Sequence, residues 1–242
     1  MDNLDILEKN LKIKFQNRQL LKEALTHRSY LNEAREKGLC SNERLEFLGD
    51  AVLSLVVSEW LFKQFPNYPE GNLTNLRSNL VRTESLAKIA KKFNLGKFLF
   101  LSKGEKEEGG ESNPVLLANA FEAVLGAIFL DGGVEVAKNF IRKHFKNLLK
   151  TLVSKGEFKD FKSLLQEKVQ AETKITPFYR VIKETGPDHA KTFTVGVYLG
   201  EKLLAQGVGK SKQAAEEEAA EKAFKKIRNH KVKGFSFPRG TE

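Results

Sequence analysis

The sequence predicts a multidomain chain, in which an all-helical N-terminal domain is followed by a small α+β domain. Apolar residues recur at helical spacing in one segment after another up to about residue 151. Beyond that point a helical segment, three strand-like segments and a second helical segment follow one another. We therefore assign residues 1–155 to the helical domain, 156–159 to a linker and 160–228 to the α+β domain. The tail, residues 229–242, has no periodicity and is predicted to be disordered.

The helical domain consists of periodic segments that are separated by turn signals. Gly, Pro, Asn and Asp concentrate at residues 65–72, 103–114 and 131–133, where the chain is expected to turn. The main periodic segments are "LLKEALTHRSYL" at 20–31, "AVLSLVVSEWLFKQF" at 51–65, "LTNLRSNLVRTESLAKIAKKF" at 73–93, "VLLANAFEAVLGAIFL" at 115–130 and "VEVAKNFIRKHFKNLLKTL" at 134–152.

The α+β domain is predicted to have the order αβββα. Its middle strand is the clearest, because Phe193, Val195, Val197 and Leu199 alternate with smaller or polar residues. The successive segments are helical at 160–172, strand-like at 177–184, 192–200 and 201–209, and helical again at 211–227.

The composition limits the class of protein. The 242 residues carry a formal net charge of +10, which indicates either a polyanionic partner such as nucleic acid or a charge that serves solubility. The single cysteine, Cys40, excludes a disulfide within the chain and fits a reducing cytoplasm. The N-terminus is acidic and polar, unlike a signal peptide. No apolar run approaches the ~18 residues of a membrane helix, so no membrane partner is expected.

Three carboxylates precede the first strongly apolar helix. Glu43, Glu46 and Asp50 are spaced by three and four residues, so they share one face of a helix. A solvated face is one interpretation, but Asp50 leads seven residues that contain a single polar side chain. The opposite face is expected to pack on the core through Leu45, Leu48, Val52, Leu55 and Val56.

A second polar pair lies in an otherwise apolar helix. Asn119 and Glu122 are the clearly polar residues of 115–130 and share one face. Because an unpaired polar group is costly to bury, this pair needs a partner. It either forms hydrogen bonds between helices or, together with the first carboxylates, presents oxygen ligands to a hard cation such as Mg²⁺. Zinc is disfavoured, since the sequence has no Cys or His cluster.

Several of these segments resemble ribonuclease III. "NERLEFLGDAVL" at 42–53 is similar to the signature of that family, and the similarity extends over nearly the whole chain. Further matching segments are "LTHRSY" at 25–30, "PEGNLTNLRSNLV" at 69–81 and "LANAFEAVLGAIFLDGG" at 117–133. Residues 160–227 resemble a double-stranded-RNA-binding domain through "LLQEKVQ", "GPDHAKTFTVGV" and "GVGKSKQAAEEEAA".

The resemblance implies a metal-dependent endonuclease that hydrolyses both strands of duplex RNA. In the family pattern Glu46, Asp50, residue 119 and Glu122 hold Mg²⁺, for which Mn²⁺ can substitute, and Asp50 and Glu122 are the expected catalytic residues. The implied products have 5′-phosphate and 3′-hydroxyl ends with short 3′ overhangs, which requires two active sites and hence a homodimer. The implied substrates are precursors of ribosomal RNA and other structured RNAs.

The resemblance also suggests roles for residues outside the metal site. Phe47 matches a dimer-interface position, although core packing is an alternative, and Glu43 and Glu70 match further acidic positions near the cleavage site. Thr26, His27 and Ser29 match a segment near RNA, where His27 is equally plausible as a structural hydrogen-bonding residue. In the second domain the expected RNA contacts are Gln166 and Glu167 on the first helix, His189 in a loop, and Lys210, Ser211 and Lys212 at the start of the last helix.

Asn119 departs from the family pattern, because most members carry Asp there. Asn keeps one carbonyl oxygen but removes a negative charge, which leaves three interpretations: a natural ligand of weaker Mg²⁺ affinity, an engineered inactivation, or a natural binder that no longer cuts. The main alternative function is therefore a duplex-RNA-binding regulator with impaired cleavage. A nuclease that acts on DNA is a third hypothesis, which the RNA-type second domain disfavours.

Overall fold

The structure is a computed structural model, and it shows two compact units that join at residues 158 and 159. Each unit is described by itself below. The residues described are 3–34, 38–156, 160–187 and 190–228. Apart from Gly156, the predicted linker 156–159 lies outside them, as does the predicted tail 229–242, so both remain predictions.

The long elements of the first unit are all α-helices, as the apolar periodicity of the sequence predicts. Among its described residues, short 3₁₀ helices connect the α-helices at Arg28–Asn32, Leu95–Phe98 and Gly110–Ser112. The α-helices are α1 Asn3–Leu11, α2 Arg18–Ala24, α3 Glu43–Gln64, α4 Glu70–Val81, α5 Thr83–Lys92, α6 Lys103–Glu107 and α7 Pro114–Lys155.

Two of the predicted turns differ in the structure. Lys103–Glu107 forms the short helix α6, because the Ser102 hydroxyl oxygen accepts a hydrogen bond from the Glu105 N–H at 3.2 Å and caps its first turn. The turn predicted at 131–133 is a kink inside α7. Gly133 adopts φ 77°, a left-handed value that glycine tolerates, and the helix resumes after it.

Helices α3 and α7 form the centre of the first unit and touch through their backbones. A Cβ atom at Gly49 would lie 1.8 Å from the carbonyl oxygen of Glu122, and one at Gly126 would lie 2.3 Å from that of Leu45. These two glycines therefore set the distance between the helices. The side chains that flank the crossing, on α3 and on α7, are brought together as a result.

Helix α7 packs an aromatic cluster against α5 and against Phe93, the residue that follows α5. Phe121 and Phe145 are fully buried, and the Phe93 ring lies 5.8 Å from that of Phe140. The His144 imidazole joins this cluster, with its ring centre 4.9 Å from Phe93 and 4.6 Å from Phe140. Its Nε2 atom is buried without a hydrogen-bond partner among the described residues.

Helix α7 is long and apolar enough to cross a membrane by length and composition, judged over Pro114–Ser154. However, 56% of its most apolar window is buried inside the structure. A helix in the core of a helical domain has the same composition, and Gly133 also interrupts the helix. The apolar character of α7 is accounted for by this packing.

The described residues of the second unit have the predicted αβββα order, and their three strands form an antiparallel sheet in which they lie in chain order. Helices and sheet share a core that includes Leu165, Val197, Leu204 and Ile227. Gly207 allows the last helix to approach the third strand, because a Cβ there would lie 2.1 Å from the carbonyl oxygen of Ala215. The elements are α8 Phe161–Thr173, β1 Phe178–Thr185, β2 Thr192–Leu199, β3 Lys202–Gly209 and α9 Lys212–Arg228.

Candidate active site

The predicted acidic residues converge on one cavity of the first unit. Helix α3 contributes three carboxylates, and α7 contributes the amide of Asn119 and the carboxylate of Glu122, on either side of the Gly49–Gly126 crossing. The cavity has a volume of about 590 Å³. Its polar lining includes Glu43, Glu46, Asp50, Asn119 and Glu122.

The carboxylates of this cavity repel one another. Burial, followed by the charges of Asp50 and Glu46, raises the pKa of Glu122 to about 8. Burial, followed by the charges of Glu43 and Asp50, also raises the pKa of Glu46. Both shifts disfavour the charged form, through burial first and through repulsion between the carboxylates second.

This donor set suits a hard divalent cation. The cavity offers carboxylate and amide oxygens, which Mg²⁺ prefers, and a cation there would relieve the mutual repulsion. Within the described part of the chain, no three His, Cys, Asp or Glu side chains are grouped closely enough to form a ready-made metal cage. The arrangement fits Mg²⁺, which commonly retains several waters and takes one or two direct carboxylate ligands.

The segment 26–29 supports one wall of the cavity. His27 lines it, and its Nδ1 atom lies 2.8 Å from the Ser29 hydroxyl oxygen, which accepts a hydrogen bond from the Ser102 N–H at 3.1 Å. Thr26 is fully buried, and its hydroxyl donates to the Lys22 carbonyl oxygen at 2.8 Å. The prediction that Thr26 contacts RNA is therefore wrong, because this side chain is enclosed by protein.

Glu70 lies apart from the cavity. It begins α4, and its Oε1 atom accepts a hydrogen bond from the Thr74 hydroxyl at 2.8 Å. A separate surface depression places it beside Leu55 and Phe62. Within a single chain, the expected role of Glu70 near the other carboxylates is therefore not fulfilled.

Helix α3 also presents an exposed apolar stripe, formed by Phe47, Leu55 and Phe62. Their exposed fractions are 81%, 65% and 72%, although all three are large apolar side chains. The expectation that Leu55 faces the core is wrong, whereas Leu45, Val52 and Val56 are buried as expected. Spacings of eight and seven residues keep the stripe on one side of the helix. Large exposed apolar patches of this kind commonly mark protein–protein interfaces.

The second unit presents its predicted RNA contacts at the surface, in so far as they are described. Gln166 and Glu167 are exposed on α8. Ser211 caps α9, with its hydroxyl oxygen accepting from the Ala214 N–H at 3.1 Å. Lys210 is exposed, while the Lys212 Nζ atom lies 3.3 Å from a Glu184 carboxylate oxygen. His189 lies outside the described residues, and its predicted role remains a prediction.

Comparisons with known proteins agree with both units. A Ribonuclease-III-like family model matches residues 17–151, and a double-stranded RNA binding motif matches residues 161–227. Ribonuclease 3 of a Nitratiruptor species is 47% identical over 231 residues, which cover 95% of this chain and 100% of that protein. The chain belongs to the ribonuclease III family. It is an endoribonuclease that carries a double-stranded-RNA-binding motif.

Other members of the ribonuclease III family are similarly close. Ribonuclease 3 of Borreliella burgdorferi is 47% identical over 220 residues, covering 91% of this chain and 89% of that protein. The crystal structure of the nuclease domain of ribonuclease III from Campylobacter jejuni matches with a TM-score of 0.55 and 47% identity, over 61% of this chain and 97% of that domain.

Three residues that matter to this ribonuclease III site were not singled out from the sequence. Gly49 and Gly126 fix the helix crossing, and Arg28 lines the cavity as its basic side chain, with Nη1 3.7 Å from a Glu43 carboxylate oxygen. An isolated glycine inside a helical pattern is a signal of close backbone approach, which could have identified the glycines. The position of Arg28 depends on the tertiary fold.

Proposed function

We propose that the protein is a Mg²⁺-dependent endoribonuclease that hydrolyses both strands of double-stranded RNA. The observation that carries this proposal is the convergence of Glu46, Asp50, Asn119 and Glu122 on one cavity. Mn²⁺ has the same preference for oxygen ligands and is expected to substitute. The double-stranded RNA binding motif of the second unit supports duplex RNA as the substrate.

Each side chain has a distinct task in this proposal. Asp50 and Glu46 would hold the cation from α3, and Asn119 would offer its amide oxygen from α7. Burial, followed by the charges of Asp50 and Glu46, raises the pKa of Glu122 to about 8, so a nearby positive charge would favour its ionised form as a further oxygen ligand. When bound, the cation supplies Lewis acidity toward water and the phosphodiester.

A homodimer is the proposed active assembly. The exposed stripe of Phe47, Leu55 and Phe62 supports it, because a second copy would remove these side chains from water. Glu70 lies beside the same stripe, so dimerisation is the event that would bring it near an acidic cavity of the partner. Another structure of the Campylobacter jejuni nuclease domain is described as showing flexibility in a region involved in dimer formation.

The proposed cellular role is the processing of ribosomal RNA precursors and other structured RNAs in the cytoplasm. Two cavities in a dimer would cut the two strands at offset positions and leave 5′-phosphate, 3′-hydroxyl ends with short 3′ overhangs. Tethering the RNA-binding motif to the nuclease unit raises the local concentration of duplex near the cavity.

Cleavage of a long duplex RNA over a Mg²⁺ titration tests the proposal. The unmodified chain is expected to cut at low millimolar Mg²⁺, and Asn119→Asp to cut at a lower concentration because it restores a negative ligand. Asp50→Asn and Glu122→Gln are expected to bind duplex but not to cut it. The variant Glu107→Gln, at an exposed position of α6, is the control for general effects of losing a carboxylate.

The other outcomes distinguish the alternatives. If the chain binds duplex RNA but cuts only after Asn119→Asp, it is a duplex-RNA-binding regulator, an alternative that the missing charge at Asn119 favours. Equal cleavage of duplex DNA and duplex RNA would identify a less selective nuclease. If neither chain cuts while both bind, the assignment of the metal site is wrong.

A further inference from the structure

A groove on the first unit has no role in the proposed reaction. It lies between the end of α3 and the second half of α7 and encloses about 530 Å³. Its apolar lining consists of Trp60, Phe65, Leu149 and Val153, and we call it the basic groove because of the cations described next. It shares no lining residue with the acidic cavity.

Three cations stand in a row along this basic groove. Arg142, Lys146 and Lys150 are spaced by four residues on α7, so neighbouring positive charges repel one another across successive turns. Lys146 and Lys150 form no ion pair with any residue that the structure describes. Acidic side chains are likewise absent from the described lining of the groove. Lys146 and Lys150 are therefore not neutralised by any described residue, and they lie beside the apolar lining of the groove.

The carboxylate that Arg142 contacts, that of Glu59, already forms ion pairs with two other cations. Glu59 binds Lys138 at 2.8 Å and Lys63 at 2.5 Å, and these two hydrogen bonds hold its pKa well below the usual range. Arg142 is the outlying third cation, with Nη2 3.8 Å from the carboxylate. Its Nε atom is buried and has no hydrogen-bond partner among the described residues. Arg142 thus has N–H donors that its single 3.8 Å contact with Glu59 leaves unused.

We propose that the basic groove binds an acidic amphipathic helix of a partner protein. Carboxylates four residues apart on such a helix match the spacing of the cation row, since both follow the same helical rise. Large apolar side chains on its adjoining face would enter the groove and cover Trp60 and Phe65. Duplex RNA would satisfy the charges but would leave this apolar lining unused, which is why a protein helix is favoured.

Trp60 provides a direct test, because it is the only tryptophan in the chain. The probe is a synthetic peptide of about 16 residues, long enough to form a helix, with leucines at i, i+3, i+4 and i+7 and glutamates elsewhere. Titration into the full-length protein is expected to shift Trp60 fluorescence to shorter wavelength and to saturate. A scrambled peptide of the same composition, which lacks the apolar face, is expected to bind with an affinity at least about tenfold lower.

Matched charge reversals locate the binding site. Lys146→Glu together with Lys150→Glu is expected to weaken peptide binding about tenfold or more, and Lys146→Ala with Lys150→Ala to weaken it less. Lys88→Glu with Lys92→Glu, at the same spacing on α5, is expected to leave it unchanged. RNA cleavage by all three variants, measured in parallel, should remain at the level of the unmodified chain.

Four results would overturn the proposal. The first two are the absence of a saturable change in fluorescence and equal binding of the scrambled peptide. The third is that duplex RNA displaces the bound peptide from the unmodified chain but not from the Lys146→Glu, Lys150→Glu variant. The fourth is a change of oligomeric state in that variant. The third result would assign the groove to nucleic acid, and the fourth would assign it to a second copy of the chain. Because cleavage is measured separately, failure here is distinguishable from failure of the proposed nuclease function.

Discussion

Single charged residues in this protein act according to what neutralises them. Glu8 on α1 accepts hydrogen bonds from the Arg18 guanidinium and from the Phe15 N–H, and the first of these is the main cause of its lowered pKa. Glu122 has no such partner among the residues that the structure describes, and its pKa rises instead. The same residue type is therefore structural at one position and a candidate cation ligand at the other.

His144 is predicted to make the first unit sensitive to acid. Burial in the aromatic cluster, followed by the charges of Lys143 and Lys92, lowers its pKa to about 4. Below about pH 6.5 the His144 imidazole binds a proton in the unfolded chain but stays neutral in the folded chain. Stability is therefore lost as the pH falls from 6.5 toward 4. Between pH 7.5 and pH 5, the free energy of unfolding is expected to fall by about 1–2 kcal/mol less in His144→Leu than in the unmodified chain. Urea unfolding at both pH values measures the difference, and parallel pH profiles for the two chains would contradict it.

Lys210 is predicted to bind an RNA phosphate. It is exposed immediately before α9, where free backbone N–H groups also favour anions. Lys210→Ala is expected to weaken binding of duplexes of unrelated sequence equally and to reduce the slope of log affinity against log salt by about one. Lys225→Ala is the control, because Lys225 pairs with Glu221 near the other end of α9. A sequence-dependent loss, or an unchanged salt slope, would exclude a phosphate contact.

At the level of elements, the α3–α7 crossing positions the carboxylates. Glu46 and Asp50 share α3 with Gly49, and Asn119 and Glu122 precede Gly126 on α7. A change in the distance between the two backbones would therefore move both halves of the donor set. The same crossing leaves the apolar stripe on the outer side of α3, so the proposed cation site and the proposed dimer interface both depend on this helix.

Gly126→Ala is predicted to damage both stability and activity. The added Cβ would lie 2.3 Å from the Leu45 carbonyl oxygen, which a packed interior cannot accommodate without separating the helices. We expect a loss of roughly 3 kcal/mol in the free energy of unfolding, together with reduced cleavage. Gly104→Ala, which has no heavy atom within 4 Å of the new Cβ, should be neutral or slightly stabilising. Thermal unfolding measures the change in stability, and a cleavage assay measures the change in activity. Equal effects of Gly126→Ala and Gly104→Ala on both would refute the explanation.

At the scale of the whole molecule, the chain combines a unit that contains the acidic cavity with a second unit that carries the RNA-binding motif and has its own core. The first unit has one continuous hydrophobic core, and the second has its own core of helices against a sheet. The proposed cleavage at two offset positions would require a second copy of the cavity, which the proposed dimer through the stripe on α3 would supply. Dimerisation and RNA binding are therefore expected to be separable by mutation.

Leu55→Glu with Phe62→Glu is predicted to produce monomers. Two charges on the stripe would have to be buried without partners in a dimer, at a cost that exceeds the gain from the remaining apolar contact. Sedimentation equilibrium should show half the mass, with duplex RNA still bound and paired strand cleavage lost. Val208→Glu, which alters an exposed apolar residue of the second unit, is the control. A dimer that persists in the double variant would place the interface elsewhere.

The sequence alone determined the two-unit organisation, the order of elements in the second unit and the chemistry of the donor set, because periodicity and residue type are local properties. It did not place Leu55 in solvent, Thr26 in the core or Glu70 apart from the cavity. Those positions depend on which faces of the helices meet, and burial is decided by contacts between residues that are distant in the chain. Only the tertiary structure, through the Gly49–Gly126 approach, brings the acidic faces of α3 and α7 to one cavity.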